Sequence, residues 1–174
     1  MTGTQRLRSA LVVLFFGVSM TAATPSAEAG DAFFRGGLIF YPEGLDFAQR
    51  WFLSFGSDYG LNLDETIFAG VEVQGSAFRQ DTTVGSTAWV IPANGFFNIK
   101  YKSPSFGLRP YAGGGIGMVT SFVFVDGRND WERDVAWHVL GGLEFGRTSV
   151  ELQIQRPFES GSSTSYSVLA GFVW

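Results

Sequence analysis

Apolar and polar residues alternate along seven segments of this chain with the period of two that is typical of β-strands. In the clearest segment, 150–155, Val150, Leu152 and Ile154 alternate with three polar residues. A first segment, in which neighbouring phenylalanines and glycines blur the alternation, is added to these. The pattern predicts eight strands, at residues 32–41, 49–59, 66–79, 88–102, 109–125, 133–145, 148–156 and 164–174.

The predicted connections alternate between long and short. The long ones cover residues 42–48, 80–87, 126–132 and 157–163, and the short ones cover 61–65, 103–107 and 145–148. Outer-membrane barrels have short periplasmic turns and longer external loops. The order therefore predicts an all-β fold, an eight-stranded antiparallel up-and-down transmembrane β-barrel with both termini on the periplasmic side.

The alternation sorts the strand residues into two faces. The apolar face holds no charged residue and comprises Trp51, Leu53, Phe55, Tyr59, Ile67, Ala69, Val71, Val73, Ile91, Ala93, Phe97, Ile99, Tyr101, Ile116, Met118, Phe122, Phe124, Val135, Trp137, Val139, Leu143, Phe145, Tyr166, Val168, Ala170, Phe172 and Trp174. The polar face comprises Arg50, Asp58, Glu72, Gln74, Asn94, Asn98, Lys100, His138, Glu144, Glu151, Gln153 and Gln155, with Arg35 added from the first strand.

Alternation alone leaves open which face points outward. A secreted lipocalin-like ligand carrier would turn the apolar face toward its lumen, whereas a membrane barrel would turn it toward lipid. Tyrosine and tryptophan near the ends of the apolar rows, and the terminal Trp174, favour the membrane. The absence of charged residues from the apolar face also favours the membrane, because a Lys or Arg at mid-bilayer costs roughly 2–4 kcal/mol. We therefore expect lipid to contact the apolar face.

Residues 1–29 are expected to be a cleaved signal peptide, which leaves 30–174 as the barrel domain. Arg6 and Arg8 precede a short apolar run at 10–20, and Ala27-Glu28-Ala29 fits the small-x-small cleavage rule. The run is about half as long as a transmembrane helix requires. We therefore expect an exported protein of the Gram-negative cell outer membrane.

The net charge and the cysteine content argue against two kinds of binding site, one for nucleic acid and one for a soft metal. The predicted mature chain holds ten basic and fifteen acidic residues, a formal charge of −5, and this sign argues against a nucleic-acid partner. The chain contains no cysteine and a single histidine, so a soft-metal site is not expected. Because no disulfide can form without cysteine, the stability of the fold must come from sheet closure and burial.

Two segments resemble paired strands of the small outer-membrane β-barrel family, which includes the OmpA-like transmembrane domain and the OmpX-type proteins. They are 109–117 (Arg-Pro-Tyr-Ala-Gly-Gly-Gly-Ile-Gly) and 136–145 (Ala-Trp-His-Val-Leu-Gly-Gly-Leu-Glu-Phe). The terminal aromatic resembles the signal read by the barrel-assembly machinery, although Leu169 stands where that signal often has glycine. The resemblance implies an eight-stranded barrel and no single shared activity.

The polar face is expected to fill the lumen, because eight strands enclose a space just wide enough for side chains. Buried charges require partners. We predict a closed network whose acidic members are Glu72, Glu144 and Glu151 and whose basic members are Arg35, Arg50 and Lys100. If the lumen instead conducts ions, His138 is the candidate sensor, because imidazole titrates near neutral pH.

Enzymatic chemistry is not expected. The Arg-Pro-Tyr strand and 152–155 also resemble lipid A 3-O-deacylase barrels, but Arg156-Pro157-Phe158 replaces their catalytic His-x-Ser. The remaining candidates are His138 and the loop residues Ser160, Ser162 and Ser163, whose spacing supports no catalytic pair. The glycine run 113–117 lacks the Lys-Ser/Thr pair of a phosphate loop. We predict no catalytic, cofactor-binding or metal-binding residue.

The function expected from the sequence is a monomeric, non-enzymatic outer-membrane protein with a structural or surface-interaction role. Its expected partners are outer-membrane lipid, lipopolysaccharide and, during biogenesis, the barrel-assembly machinery. The predicted loop around Trp131, rich in charges of both signs, is the candidate binding element. A lipid A-modifying enzyme, a narrow small-solute channel and the secreted carrier remain alternatives.

Overall fold

The computed structural model describes residues 30–41, 48–81, 87–104, 107–125, 128–159 and 164–174. The signal-peptide prediction lies outside these residues. The strands are β1 (Ala32–Tyr41), β2 (Ala48–Gly60), β3 (Ile67–Gly75), β4 (Phe78–Asp81), β5 (Thr87–Lys102), β6 (Leu108–Val125), β7 (Arg128–Phe145), β8 (Thr148–Pro157) and β9 (Ser165–Val173). In the described part of the chain, no helix is long and apolar enough to cross a membrane.

Strands β3 and β4 are two halves of one barrel strand. Both pair with β5 in one continuous register, in which Gly75 lies opposite Ala93 and Phe78 lies opposite Val90. Between them, the N–H of Ser76 donates to the carbonyl of Pro92 at 3.2 Å. Proline has no N–H to return that bond, so the ladder is interrupted there. The barrel therefore has eight strands, as the alternation predicts.

The sheet closes on itself with a defined stagger. Every neighbouring pair is antiparallel, β1 pairs with both β2 and β9, and β3 pairs with β5. Each residue is paired with one on the next strand, so a path of paired residues can be followed around the barrel. Starting from Pro110 on β6, this path passes through Leu143, Gly36 and Gly75 and returns to β6 at Thr120. The register thus advances by ten residues per circuit. This stagger requires strands tilted by about 40° from the barrel axis.

The apolar face points outward and the polar face points inward. Phe97 is 55% exposed and Leu152 is 59% exposed, whereas Arg35 and Glu151 are fully buried. The blurred first strand follows the same rule, with Phe33 and Arg35 inside. A lipocalin-like carrier would have the reverse arrangement, so that alternative is wrong.

Apolar side chains fill part of the lumen as well. Ile39, Phe52 and Leu169 form a buried cluster, with Tyr41 packed against it. Leu169 is fully buried and points into the lumen. The position at which the sequence departs from the barrel-assembly signal is therefore occupied by a residue that packs in the interior.

Aromatic residues border the apolar band at two levels. On β2, β7 and at the end of β9, an outward-facing aromatic pair is separated by eight residues: Trp51 and Tyr59, Trp137 and Phe145, Tyr166 and Trp174. Eight residues span about 26 Å along a strand, or about 20 Å along the axis at the tilt given above. This height approaches the apolar band of about 25 Å in outer-membrane barrels.

One predicted loop is wrong. Residues 126–132 were expected to form a long connection, but β7 begins at Arg128, and Val125 pairs with Arg128. The sequence signal for this is Asp126-Gly127, a dipeptide favoured in two-residue hairpin turns. The predicted connections 42–48, 80–87 and 157–163 lie largely outside the described residues. We call the end of the barrel at which β1 begins and β9 ends proximal and the opposite end distal.

Candidate functional site

The proximal third of the lumen holds a network of charges centred on two lysines. Lys102 Nζ lies 2.8 Å from Asp31, 3.2 Å from Asp58 and 3.0 Å from Glu144. Lys100 Nζ lies 3.0 Å from the other oxygen of Asp58 and 4.4 Å from the centre of the Phe33 ring. Asp58 thus bridges both lysines, which compensates charges that would otherwise be costly to bury.

A second ion pair lies further inside. Arg35 Nη1 lies 3.1 Å from Glu151 Oε2, and both side chains are fully buried. Arg35 Nε donates to Ser149 Oγ at 3.0 Å, and the guanidinium lies 4.0 Å from the centre of the Phe33 ring. The hydroxyl of Tyr111 donates to Glu151 at 2.8 Å. The pair joins β1 to β8 across the lumen.

Glu72 is held at mid-barrel by neutral donors. Ser54 Oγ and the side-chain amides of Gln74 and Gln153 donate to Oε1, the amides at 2.8 and 2.9 Å, and Asn98 Nδ2 donates to Oε2 at 2.9 Å. No lysine or arginine of the described residues lies within ion-pair distance of this carboxylate. Four hydrogen bonds replace the water that burial removes.

Asn98 links Glu72 to the only histidine. Because an ionised carboxylate can only accept, the amide of Asn98 must donate to Glu72 and present its oxygen to His138. His138 Nε2 lies 2.6 Å from that oxygen, so Nε2 is the protonated nitrogen. The ring stacks on Phe96 with 4.2 Å between centres, and His138 Nδ1 is buried without a hydrogen-bond partner.

The predicted ionic network is correct in location but differs in its pairs. Arg35 pairs with Glu151 as one of the expected combinations. Glu144 pairs with Lys102, which the sequence analysis left out although it has the parity of Lys100. Arg50 makes no ion pair with a described residue and lies 4.5 Å from the Phe78 ring centre. Glu72 accepts hydrogen bonds from side-chain amides, where an ion pair with a basic residue was expected.

The geometry assembles no catalytic group among the described residues. His138 is buried in the lumen and engages Asn98. Ser160, Ser162 and Ser163 lie outside the described residues. No cluster of three or more potential metal ligands occurs in the part of the chain that the structure describes.

The glycine run is a packing feature of β6. A Cβ at Gly115 would collide with Asn98 Oδ1 and the Phe97 carbonyl, and one at Gly117 would collide with the Gly95 carbonyl. Glycine at these positions therefore lets β6 approach β5 and leaves space for the Glu72–Asn98–His138 chain.

The distal ends of β4 to β7 form a sheet that continues past the end of β8; we call it the distal extension (Phe78–Asp81, 87–91, 120–125 and 128–134). Strand alternation sorts its side chains. Trp131 and Arg133 of β7 have the parity of the apolar exterior, whereas Asp130, Glu132 and Asp134 have the parity of the lumen. The mixed charges that resemble a polar loop in sequence are thus separated onto two faces.

The inner face of the distal extension is acidic. Asp130 and Glu132 of this face, together with Val123, Val125 and the edge of the exterior Trp131, line a hollow of about 350 Å³. Glu159 follows β8 at the same level, and the hydrogen bond and like charge that it shares with Asp134 raise its pKa above the ordinary value for glutamate. Acidic side chains therefore lie close together at the distal end of the barrel.

Closed antiparallel topology, an apolar exterior between two aromatic levels and a polar lumen define an outer-membrane-type eight-stranded β-barrel. Among solved structures, the chain resembles Neisserial surface protein A, with a TM-score of 0.66, 11% identity, and coverage of 82% of this chain and 94% of that one. It also resembles the attachment invasion locus protein Ail of Yersinia pestis, in complex with the heparin analogue sucrose octasulfate, with a TM-score of 0.55, 9% identity and coverage of 84% and 99%.

The N-terminal β-barrel domain of Pseudomonas aeruginosa OprF is a third similar structure, with a TM-score of 0.54, 16% identity and coverage of 84% of this chain and 98% of that one. No protein-family model and no curated protein matches the sequence. The likenesses confirm, at the level of the fold, the resemblance to small outer-membrane barrels that the sequence suggests.

Proposed function

We propose that the protein is a non-enzymatic integral protein of the outer membrane that displays its distal extension at the cell surface as an interaction element. The observation that carries the proposal is the sorted distal extension: a hydrogen-bonded sheet that rises beyond the distal aromatic level and holds different chemistry on its two faces. Loops and edges on a rigid scaffold are the usual seats of recognition. Two proteins with a similar fold are named for the cell surface and for attachment.

The filled lumen supports a structural rather than a conducting barrel. Arg35, Glu72, Glu151, Asn98 and Lys100 are all at most 1% exposed and lie at successive levels of the lumen. Side chains rather than water occupy this part of the lumen. We expect purified protein in planar bilayers to show no steady conductance.

Placement and orientation can be tested with single cysteines, because the chain has none. Asn129→Cys places a thiol at the distal end and Arg147→Cys places one in a proximal turn; both positions are exposed. In intact Gram-negative cells, a membrane-impermeant maleimide should label the distal thiol alone. Labelling of the proximal thiol in intact cells, or recovery of the protein in the soluble periplasm, would contradict the proposal.

The interaction role needs a separate test. Cells expressing the wild type are compared with cells expressing a variant in which Asp130→Asn, Glu132→Gln and Asp134→Asn are combined, and with a Trp131→Ala variant. We expect both variants to reach the surface in wild-type amounts but to change surface adhesion or envelope permeability. Unchanged adhesion and permeability in both would refute the interaction role while leaving the placement intact.

A further inference from the structure

The described side chains on the barrel exterior include few charges, and these are of one sign. Among the strand residues whose side chains are described, the exterior carries three charged side chains, Arg79, Arg133 and Arg156, and all are exposed. All three lie toward the distal end. Among these strand residues, guanidinium groups therefore border the apolar exterior at its distal end and not at its proximal end.

These arginines have no anionic partner among the residues that the structure describes. None of them forms an ion pair with a described residue. Arg79 and Arg133 lie instead over the rings of Trp89 and Trp131, at 5.5 and 5.4 Å from the ring centres. The carboxylates next to Arg133 in sequence have the opposite parity, so the sheet separates them from its guanidinium.

The positions of these arginines along the barrel axis match the headgroup region of a bilayer. Arg156 pairs in register with Trp137, which belongs to the distal aromatic level. Arg133 lies four residues further along β7 on the same face, about 13 Å along the strand and about 10 Å higher along the axis. The headgroup region of one leaflet lies directly above the hydrocarbon and has a similar depth of roughly 5–10 Å.

We propose that Arg133 and Arg156, with Trp131 and Trp137 beside them, bind the phosphorylated headgroup of a lipid in the surrounding leaflet, and specifically the bisphosphorylated lipid A part of lipopolysaccharide. The inference deepens the proposed function and rests on its outer-membrane placement. Guanidinium groups bind phosphate through paired hydrogen bonds, and the tryptophans contact the sugar and acyl boundary. Two separated arginines fit a headgroup with two phosphates better than a phospholipid with one.

Lipid binding can be measured on the folded protein in detergent micelles. Lipid A with two phosphates, lipid A with one phosphate, and phosphatidylglycerol are added, and the lipid bound per barrel is determined by native mass spectrometry. We expect the bisphosphorylated lipid to bind most tightly. The double variant R133Q/R156Q should bind it about tenfold more weakly or worse, since each replaced contact is charge-assisted. R133K/R156K should fall between the two, because lysine keeps the charge but not the paired geometry.

Arg147→Gln is the matched control, because Arg147 is an exposed arginine in a proximal turn; its binding should equal that of the wild type. Equal binding by R133Q/R156Q and R147Q would overturn the inference, and so would equal affinity for phosphatidylglycerol and bisphosphorylated lipid A. Heat-modifiable gel migration checks that each variant is folded. The cysteine-labelling test fails only if the placement is wrong, so it separates failure of the proposed function from failure of this site.

Discussion

Arg35 and Glu151 meet inside the barrel although 116 positions separate them in the sequence: Nη1 of one lies 3.1 Å from Oε2 of the other, and neither is exposed to solvent. Strand β9 lies between the strands that carry them. The pair therefore joins the N-terminal strand to the C-terminal hairpin through the lumen, next to the seam at which the barrel closes.

Arg35→Met should be strongly destabilising, because it leaves the Glu151 carboxylate buried without a cation. Loss of one partner of a buried pair costs about 3–5 kcal/mol. The double variant Arg35→Met with Glu151→Gln should recover part of this loss, since the amide oxygen still accepts from Tyr111 while the bond from Gln153 to the other oxygen is lost. Urea unfolding in lipid vesicles, followed by tryptophan fluorescence, measures both. A double variant no more stable than the single one would show that the charge pair is not the cause.

Glu72→Gln should reverse the hydrogen-bond chain that ends at His138. Glutamine can donate to the oxygen of Asn98, whose amide then rotates and donates to His138 Nε2. The imidazole proton must move to Nδ1, which has no partner in the wild type. Since the chain has one histidine, the nitrogen-15 spectrum of histidine-labelled protein in micelles reports this tautomer directly. Glu151→Gln, which does not touch Asn98, should leave the wild-type tautomer in place.

Gly115→Ala should destabilise the barrel, whereas Gly141→Ala on the neighbouring strand should not. A methyl group at 115 collides with Asn98 and the backbone of β5, while at 141 it meets only the Tyr111 carbonyl at 3.7 Å. Overpacking of this kind costs about 1–3 kcal/mol. The difference between the two urea midpoints is the measurement, and equal midpoints would contradict the packing role of the glycine run.

Cysteine substitutions at 130, 131, 132 and 133 should show alternating environments if this segment is a strand. Labels on 131 and 133 should report contact with headgroups or detergent, and labels on 130 and 132 should report water, because side chains alternate across a strand. Fluorescent labels with lipid-bound quenchers measure this, and Leu152→Cys on the exterior of β8 serves as the quenched reference. Uniform quenching along the four positions would indicate a loop.

Much of the fold follows from periodicity. The strand at 148–156 could be placed nearly to the residue, because Val150, Leu152 and Ile154 alternate with polar neighbours and a turn precedes it. The β6–β7 connection could not, since its density of charge resembles a loop. There the alternation continues, but with charge on both faces, and hydrophobicity alone does not reveal it.

For the lumen too, the sequence predicts some features and leaves others to the tertiary structure. Apart from Lys102, the sequence identified the buried charged, amide and histidine side chains that line the described lumen, because inward parity is a local property; it left out the buried serines. It did not identify all of their partners: Lys102 was left out of the network, and Glu72 was assigned a cation where it has amides. Partners across a lumen depend on stagger, and a register that advances ten residues per circuit cannot be read from any single strand.

The order of residues thus determined, by itself, which side chains share the apolar face and which share the polar face, because alternation along a strand fixes the face of each residue. Tertiary structure decided which inward charges meet, that the charged segment around Trp131 is a strand with its arginine and its acids on opposite faces, and that three exterior arginines form no ion pair with a described residue. These features depend on the tilt and stagger with which eight strands close, a property of the whole sheet.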